Sequence, residues 1–413
     1  MANLREKLHS LGYKNENLSQ KPEGNIFIDK KDGQREESLI QSSSKVYTFV
    51  HSVPLPFFHG DVLIEPSFSF GILSEWVKAP EISTLDLHDV AFVDTETSGL
   101  VGGTGTFAFM VGIGVHREGQ FQVYQFFLPD PVEEYRLLDE ILNFLEPYRV
   151  IVTFNGKSFD LPLLQTRVIL NRMENRMGEK IHIDLLHLAR RFWKARLESC
   201  SLSELEKQIL HITREQEEIP GYLIPETYFN YLKLRDFSLL DGVFYHNRVD
   251  ILSLAALLHF MGRVLSQPQE SPLHSIDLAS IARLYHDLGH WETASELYAQ
   301  SISEDMPPDF LVKTLLKHAE IHKKQGNISE AIALWKKAAD YGNLEAHLEL
   351  AKIYEHTLRQ LDAALEWANR AFHLCSTLPV PTWKRKEWLH EISHRIERLE
   401  EKKRKEIHGS ETI

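Results

Sequence analysis

The chain reads as a mixed α/β domain followed by an all-α module of helical repeats. Between residues 86 and 265, apolar runs of strand length alternate with amphipathic helical runs, as in a sheet flanked by helices. Beyond about Ser275 the strand signals stop, and helix pairs recur at a regular interval. The 413 residues are enough for two or three domains and one large core.

Residues 1–45 are polar and read as a helix followed by a mobile segment. Residues 46–85 carry aromatic residues and prolines and read as an ordered lead-in. HDVAFVDTETSGL then opens a strand, and GTFAFMVGIGVHREGQFQVYQFFL gives two more around the turn HREGQ. PVEEYRLLDEILNFLEPY has helical periodicity and stops at Pro147. RVIVTFNG is a strand, and FDLPLLQTRVILNRM is a helix with Pro162 in its first turn. KIHIDLLHLARRFWK runs from strand into helix, and SLSELEKQILHI is a helix opened by a Ser cap. FSLLDGVFYHNRVDILSLAALLHFMGRVL is one long amphipathic helix. Residues 86–265 are thus expected to form a mixed five- or six-stranded sheet flanked by helices.

Residues 275–380 repeat. GHWETASELYAQSI, GNISEAIALWKKAA and RQLDAALEWANRAF align Ala294 with Ala331 and Ala363, and Tyr298 with Trp335 and Trp367. Ala331 follows Ala294 by 37 positions, and Ala363 follows Ala331 by 32. These spacings bracket the tetratricopeptide period of about 34. A small residue with an aromatic one turn later suits close helix pairs, so Tyr298, Trp335 and Trp367 read as core rather than as base-stacking platforms. Residues 381–413 form a charged helix and tail suited to cap the stack. Such repeats commonly offer a concave face to a protein partner.

The chain has 59 acidic and 46 basic residues, a formal net charge of -13. That excludes a general electrostatic grip on nucleic acid but leaves room for a local basic groove. Lys157, Arg167, Arg190, Arg191, Lys194 and Arg196 line such a groove or form a solvated face. The two cysteines, Cys200 and Cys375, support no disulfide framework and fit a reducing compartment. The start, MANLREKLHSLGYK, lacks the apolar core of a signal peptide, and no apolar run reaches transmembrane length. A cytoplasmic protein without a membrane partner is expected.

The chemistry lies in carboxylates. Asp94 and Glu96 stand two apart at the end of the VAFV strand, on one face. Two adjacent carboxylates repel unless a cation lies between them. Hard oxygen donors without His or Cys neighbours favour Mg2+ or Mn2+ over zinc. Asp160 follows a second apolar strand, and Asp250 lies in the long helix between Val249 and Ile251. Four such groups can hold two cations about 4 Å apart, one activating a water and the other stabilising a phosphodiester leaving oxygen. His246 precedes Asp250 by one helical turn and can orient or deprotonate that water. Singly each acid has a plainer reading: Asp94 as a strand-end acceptor, Asp160 as a helix cap, Asp250 as a solvated helix residue. Asp184 reads as an N-cap, while His182 and His187 lack a zinc pattern.

The order DxE, NxxxxD and HxxxD resembles the DEDD superfamily of 3′–5′ exonucleases over residues 86–265. More closely, the whole chain resembles the YprB-like ribonuclease H-like family, which joins such a domain to C-terminal repeats. The resemblance implies that Asp94 and Glu96 bind both metals, Asp160 one and Asp250 the other. It also implies single-stranded nucleic acid, DNA or RNA, as substrate. Thr97, Gly99, Leu100, Asn155 and Tyr245 are then the expected substrate contacts. The glycines of SGLVGGTGTF (Gly99, Gly102, Gly103 and Gly105) either admit a terminal nucleotide closely or ease the hairpin entry. The third motif departs from the superfamily, which has His five or Tyr four residues before the Asp. Here His246 is four before and Tyr245 five before, and helical geometry favours His246 as the water-orienting group. A structure-specific endonuclease using the same ligands, and a non-catalytic scaffold with a degenerate site, are the alternatives.

Overall fold

The computed structural model of the protein describes residues 38–41, 45–99, 105–214, 219–270, 273–303 and 305–410. The expected N-terminal helix and Leu100 lie outside these residues. The chain divides into two compact units, residues 1–271 and 272–413.

The strands of the first unit are β1 (Ser38–Gln41), β2 (Tyr47–Pro54), β3 (Phe57–His59), β4 (Val62–Ile64), β5 (Val90–Thr97), β6 (Ala108–Arg117), β7 (Gln120–Phe127), β8 (Val150–Thr153) and β9 (Ile181–Asp184). Its helices are α1 (Gly71–Trp76), α2 (Glu134–Leu145), α3 (Asp160–Leu170), α4 (Leu185–Trp193), α5 (Leu202–Leu205), α6 (Ile224–Leu234) and α7 (Asp241–Ser266). Seven strands form one sheet in the order β1-β2-β7-β6-β5-β8-β9, and β3 and β4 pair separately. The β5–β8 and β8–β9 pairs are parallel and the others antiparallel.

The mixed α/β class is as expected, and residues 86–265 contribute five strands, β5 to β9, as read from the sequence, while the whole described sheet has seven. The two additional strands precede Asp86. β1 falls within the stretch expected to be polar and mobile, and β2 within the lead-in, where it pairs with β7 along its full length. β1 is an edge strand of only four residues and leaves little local signal of its own.

The β6–β7 hairpin turns through Glu118 and Gly119, both in the left-handed region at φ 54° and 73°. That is the type I′ geometry whose twist matches its strands. On β6, Gly112 and Gly114 face α7. An added Cβ would strike the Asn247 carboxamide at Gly112 and the Ile251 side chain at Gly114, so their smallness lets α7 approach the sheet. Leu254 to Leu258 of α7 are fully buried. This helix is long and apolar enough to cross a membrane, contrary to the sequence reading, yet 78 % of its apolar window is buried inside the unit. It is a core helix, and its hydropathy reflects burial from several sides.

Opposite α7, α2 and α3 bring Leu137, Ile141, Leu164 and Val168 against Ala91, Val93 and Ile151. A buried ion pair joins the two helices. Arg167 Nε and Nη2 donate to Glu134 Oε1 and Oε2 at 2.6 and 2.5 Å. The residues are 6 % and 5 % exposed, so Arg167 is no groove-lining cation.

The second unit is all-helical: α8 (Ser275–Leu288), α9 (Trp291–Ser301), α10 (Pro308–Lys324), α11 (Ile328–Asp340), α12 (Leu344–His356), α13 (Leu361–Thr377) and α14 (Thr382–Ser410). Tyr298, Trp335 and Trp367 are buried core residues. The charged C-terminal helix is tied down by Glu355 of α12, which accepts from Arg395, Arg398 and Lys402 at 2.7 to 2.9 Å.

Candidate functional site

The register of β5 creates the site. Its parallel pairing with β8 covers only Val90–Phe92 against Val150–Val152. Pairing with β6 continues to Thr97, with an irregularity between Glu96 and Thr97. Asp94 to Thr97 therefore extend past the last β8 pair, at the carboxyl end of the parallel strands where α/β sheets open a crevice. Asp94 and Glu96 share the α7 face of β5 with Phe92.

Asp160 begins α3, directly after the loop from β8. That loop is fastened by Asp184 at the end of β9, which accepts from the backbone N–H groups of Asn155 at 2.8 Å and Lys157 at 3.0 Å. Asp184 also caps α4 by accepting from Leu186 N at 3.1 Å. Asp184 is thus a cap, as read from the sequence, and a staple for the loop as well. The staple holds Asn155 in the left-handed region at φ 64°, with its side chain exposed.

Asp94, Asp160 and Asp250 each have a positioning partner. Asn247 of α7 donates to Asp94 Oδ2 at 2.9 Å, and its own Oδ1 accepts from Gln125 at 3.0 Å. Thr95 Oγ1 donates to Asp160 Oδ1 at 2.5 Å. Arg214 Nη2 donates to Asp250 Oδ1 at 2.5 Å. His246 Nε2 lies 3.4 Å from Asp250 Oδ2 and 3.9 Å from Glu96 Oε1. Gly112→Ala is expected to push Asn247 off Asp94 and to cost about 1–3 kcal/mol through overpacking. Urea unfolding checks this, and an unchanged midpoint would mean that Asn247 moves freely.

The acids feel one another. Burial holds Asp94 well above the usual carboxylate range, and the charges of Asp250 and Asp160 raise it further, against the Asn247 hydrogen bond. Glu96 is raised by burial, then by Asp94, Asp250 and Asp160, while Arg214 opposes. Burial lifts Asp160 to about 6 despite the Thr95 hydroxyl. All-oxygen carboxylate donors that resist joint ionisation suit a hard divalent cation. They are not preassembled, however: among the described residues, no three His, Cys, Asp or Glu side chains stand ready to hold an ion. Asn247, Thr95 and Arg214 hold Asp94, Asp160 and Asp250 singly.

A carboxyl whose pKa is higher folded than unfolded binds its proton more tightly in the native state. Its stabilisation is complete below the unfolded value and fades as pH rises through the folded one. For Asp160 that window runs from its ordinary 3.8 to about 6, and Asp94 and Glu96 act with the same sign. A divalent cation competes with those protons. Mn2+ at a hundredfold excess over its dissociation constant is expected to raise the melting temperature by about 5–10 °C at about pH 7.5, and hardly at about pH 5. Calorimetry at the two pH values checks this, and equal increments would separate the cation from these carboxylates.

The remaining described candidates are Thr97, Gly99 and Tyr245. Thr97 is buried, and its hydroxyl donates to Gly99 O at 2.9 Å. Gly99 lines a cleft of about 510 Å³ with Tyr222, Pro225, Phe229 and Lys233 of α6 and its approach. Tyr245 carries the Arg248 guanidinium 5.8 Å above its ring. Sequence reading missed Thr95, Asn247, Glu206 and Arg214. Only Asn247 carried a signal, as a polar residue inside the helical motif that supplies His246 and Asp250.

Residues 91–261, from β5 into α7, match the RNase_H superfamily model RNase_H_2. The span contains all four acids. The chain is 33 % identical over 342 residues to the uncharacterized protein YprB of Bacillus subtilis (strain 168), covering 79 % of this chain and 80 % of that one. A family B DNA polymerase from the hyperthermophilic archaeon Pyrobaculum calidifontis is similar over 57 % of this chain, with 14 % identity and a TM-score of 0.33. This chain spans 29 % of that polymerase, and so slight a likeness carries no argument. The match to YprB across most of both chains, together with the superfamily domain that holds the acids, decides the matter: the chain belongs to the YprB-like ribonuclease H-like family.

Proposed function

We propose that the protein is a Mg2+- or Mn2+-dependent nuclease that hydrolyses phosphodiester bonds of single-stranded nucleic acid, acting as a 3′–5′ exonuclease. The observation that carries this reading is the convergence of Asp94 and Glu96 from one strand with Asp160 and Asp250 from two helices, close enough for the charges of Asp160 and Asp250 to raise the carboxyls of Asp94 and Glu96. Directionality rests on the family resemblance alone. Asp94 and Glu96 would serve both cations, Asp160 one and Asp250 the other. Bound there, the pair supplies an acidified water and charge stabilisation of the leaving oxygen.

The chain's own side chains do the positioning. Asn247 and Thr95 fix the oxygens of Asp94 and Asp160 by hydrogen bonds. His246 is the candidate to orient the attacking water, since its Nε2 faces Asp250 and Glu96. Thr97, Gly99, Leu100, Asn155 and Tyr245 are the proposed substrate contacts. The helical unit is the proposed docking element for a protein partner, and a cytoplasmic setting is proposed from the cysteine usage.

Incubation of end-labelled single-stranded DNA and RNA with the full chain and Mn2+ tests the reading. Stepwise shortening from the 3′ end is the expected result. Internal cuts would move the assignment to an endonuclease. No cleavage of either strand would leave a nucleic-acid- or protein-binding scaffold.

A further inference from the structure

A cation of the chain itself already sits among these acids. Arg214 follows α5 and the π-turn Glu206–Leu210, and its guanidinium makes contacts in three directions. Nη2 donates to Asp250 Oδ1 at 2.5 Å. Nε and Nη2 donate to Glu206 Oε2 and Oε1 at 2.9 and 2.8 Å. Nη1 lies 3.2 Å from His246 Nδ1. Glu206 is 2 % exposed and is anchored by the Ser253 hydroxyl, which donates at 2.6 Å. Ser253 is in turn 3.1 Å from His59 Nε2. The Arg214 side chain is 9 % exposed, so this is a built arrangement rather than a surface ion pair.

Two consequences follow from the chemistry of a guanidinium. It occupies an oxygen of Asp250, the acid expected to hold the second divalent ion, with a buried and directional positive charge. It also only donates, so His246 Nδ1 must accept. The proton of the neutral imidazole then sits on Nε2, the nitrogen facing Asp250 and Glu96. In that tautomer no lone pair of His246 is available on the carboxylate side to take a proton from water. One side chain thus fills a metal ligand and holds the candidate base in the unproductive form.

We infer that Arg214 is an internal counter-ion, standing in for the second cation at Asp250 and released from it only when that cation binds. The inference rests on the two-metal reading of the site. Glu206 makes release feasible. Its two-point hold keeps the guanidinium paired after Asp250 and His246 let go, so no buried charge is orphaned. Arg214 is accordingly a positioning residue that weakens the second ion relative to the first and couples its arrival to the tautomer of His246.

Mn2+ titration of the full chain, with free ion counted by electron paramagnetic resonance and no substrate present, reads this directly. Wild type is expected to bind one ion tightly and a second at least about tenfold more weakly. The double variant Arg214→Gln/Glu206→Gln removes the counter-ion with its anchor, so that Glu206 is not left as an unpaired buried charge, and it frees Asp250 for the cation. Its second ion is expected to tighten about tenfold. Should that variant fail to fold, Arg214→Lys decides, because an ammonium cannot span Glu206, Asp250 and His246 together. It is expected to tighten the second ion severalfold. An unchanged second constant in the folded variants overturns the counter-ion inference and leaves two-metal binding standing. Binding of fewer than two ions by wild type and variants alike overturns both.

Discussion

Asp94→Asn is expected to lower the rate of metal-dependent strand cleavage by about a thousandfold or more while leaving the metal-free fold at least as stable as wild type. The two halves of the expectation have one cause. Asp94 is held far above the ordinary carboxylate range by burial and by the charges of Asp250 and Asp160, and its own charge raises Glu96. A neutral carboxamide relieves that repulsion. Its oxygen can still accept from Asn247 Nδ2, as Asp94 Oδ2 does at 2.9 Å. Folding therefore keeps the Asn247 hydrogen bond and is spared one buried charge. Cation binding instead loses the ligand expected to serve both ions.

Single-turnover cleavage measured beside thermal melting separates these effects. A large loss of rate at an unchanged or higher melting temperature is the expected pairing. Retained cleavage in a folded Asp94→Asn protein would remove the carboxylates from the chemistry. A matching fall in both quantities would assign Asp94 a structural role instead.

How much of this was legible depends on whether the signal is local. Asp94 and Glu96 follow an apolar strand with period two and Asp160 follows another, but only their joint order with Asp250 sets them apart from strand-end and capping acids. Asp250 and His246 were legible because one helical turn separates them. That Asp94 and Glu96 extend past the last β8 pair depends on the short β5–β8 register, which no single segment encodes. Arg214 was invisible for a different reason. It lies in ITREQEE, a charged stretch without periodicity that reads as solvated, and its burial arises from Glu206, Asp250 and His246 closing around it. Glu206 likewise looks like a surface helix residue in SELEK, until the π-turn directs it inward. The edge strand β1 was missed because its pairing is set by its partner β2 rather than by its own four residues, and β2, inside the sheet between β1 and β7, was read only as an ordered lead-in.

Arg167 makes the same point at larger energy, and its removal is expected to give the largest stability change in the first unit. In the sequence it is one basic residue of a helix, a type more often found on a solvated face than in a groove. In the fold it bridges α3 to Glu134 of α2 by two donors at 2.5 and 2.6 Å, with Asn171 donating to the same carboxylate at 3.1 Å. Arg167→Met leaves Glu134 buried with that one amide as a remaining donor, an arrangement expected to cost about 3–5 kcal/mol. The compensating double variant Arg167→Met/Glu134→Leu removes both charges together, and buried ion pairs exchanged for apolar groups of similar volume are often neutral in stability. Urea unfolding of the two variants is therefore expected to show a deep loss in the first and substantial recovery in the second. Equal losses would mean that the pair contributes through packing rather than charge. Because α3 begins at Asp160, the single variant is also expected to loosen that carboxylate, so its cation affinity should fall and then return in the double variant.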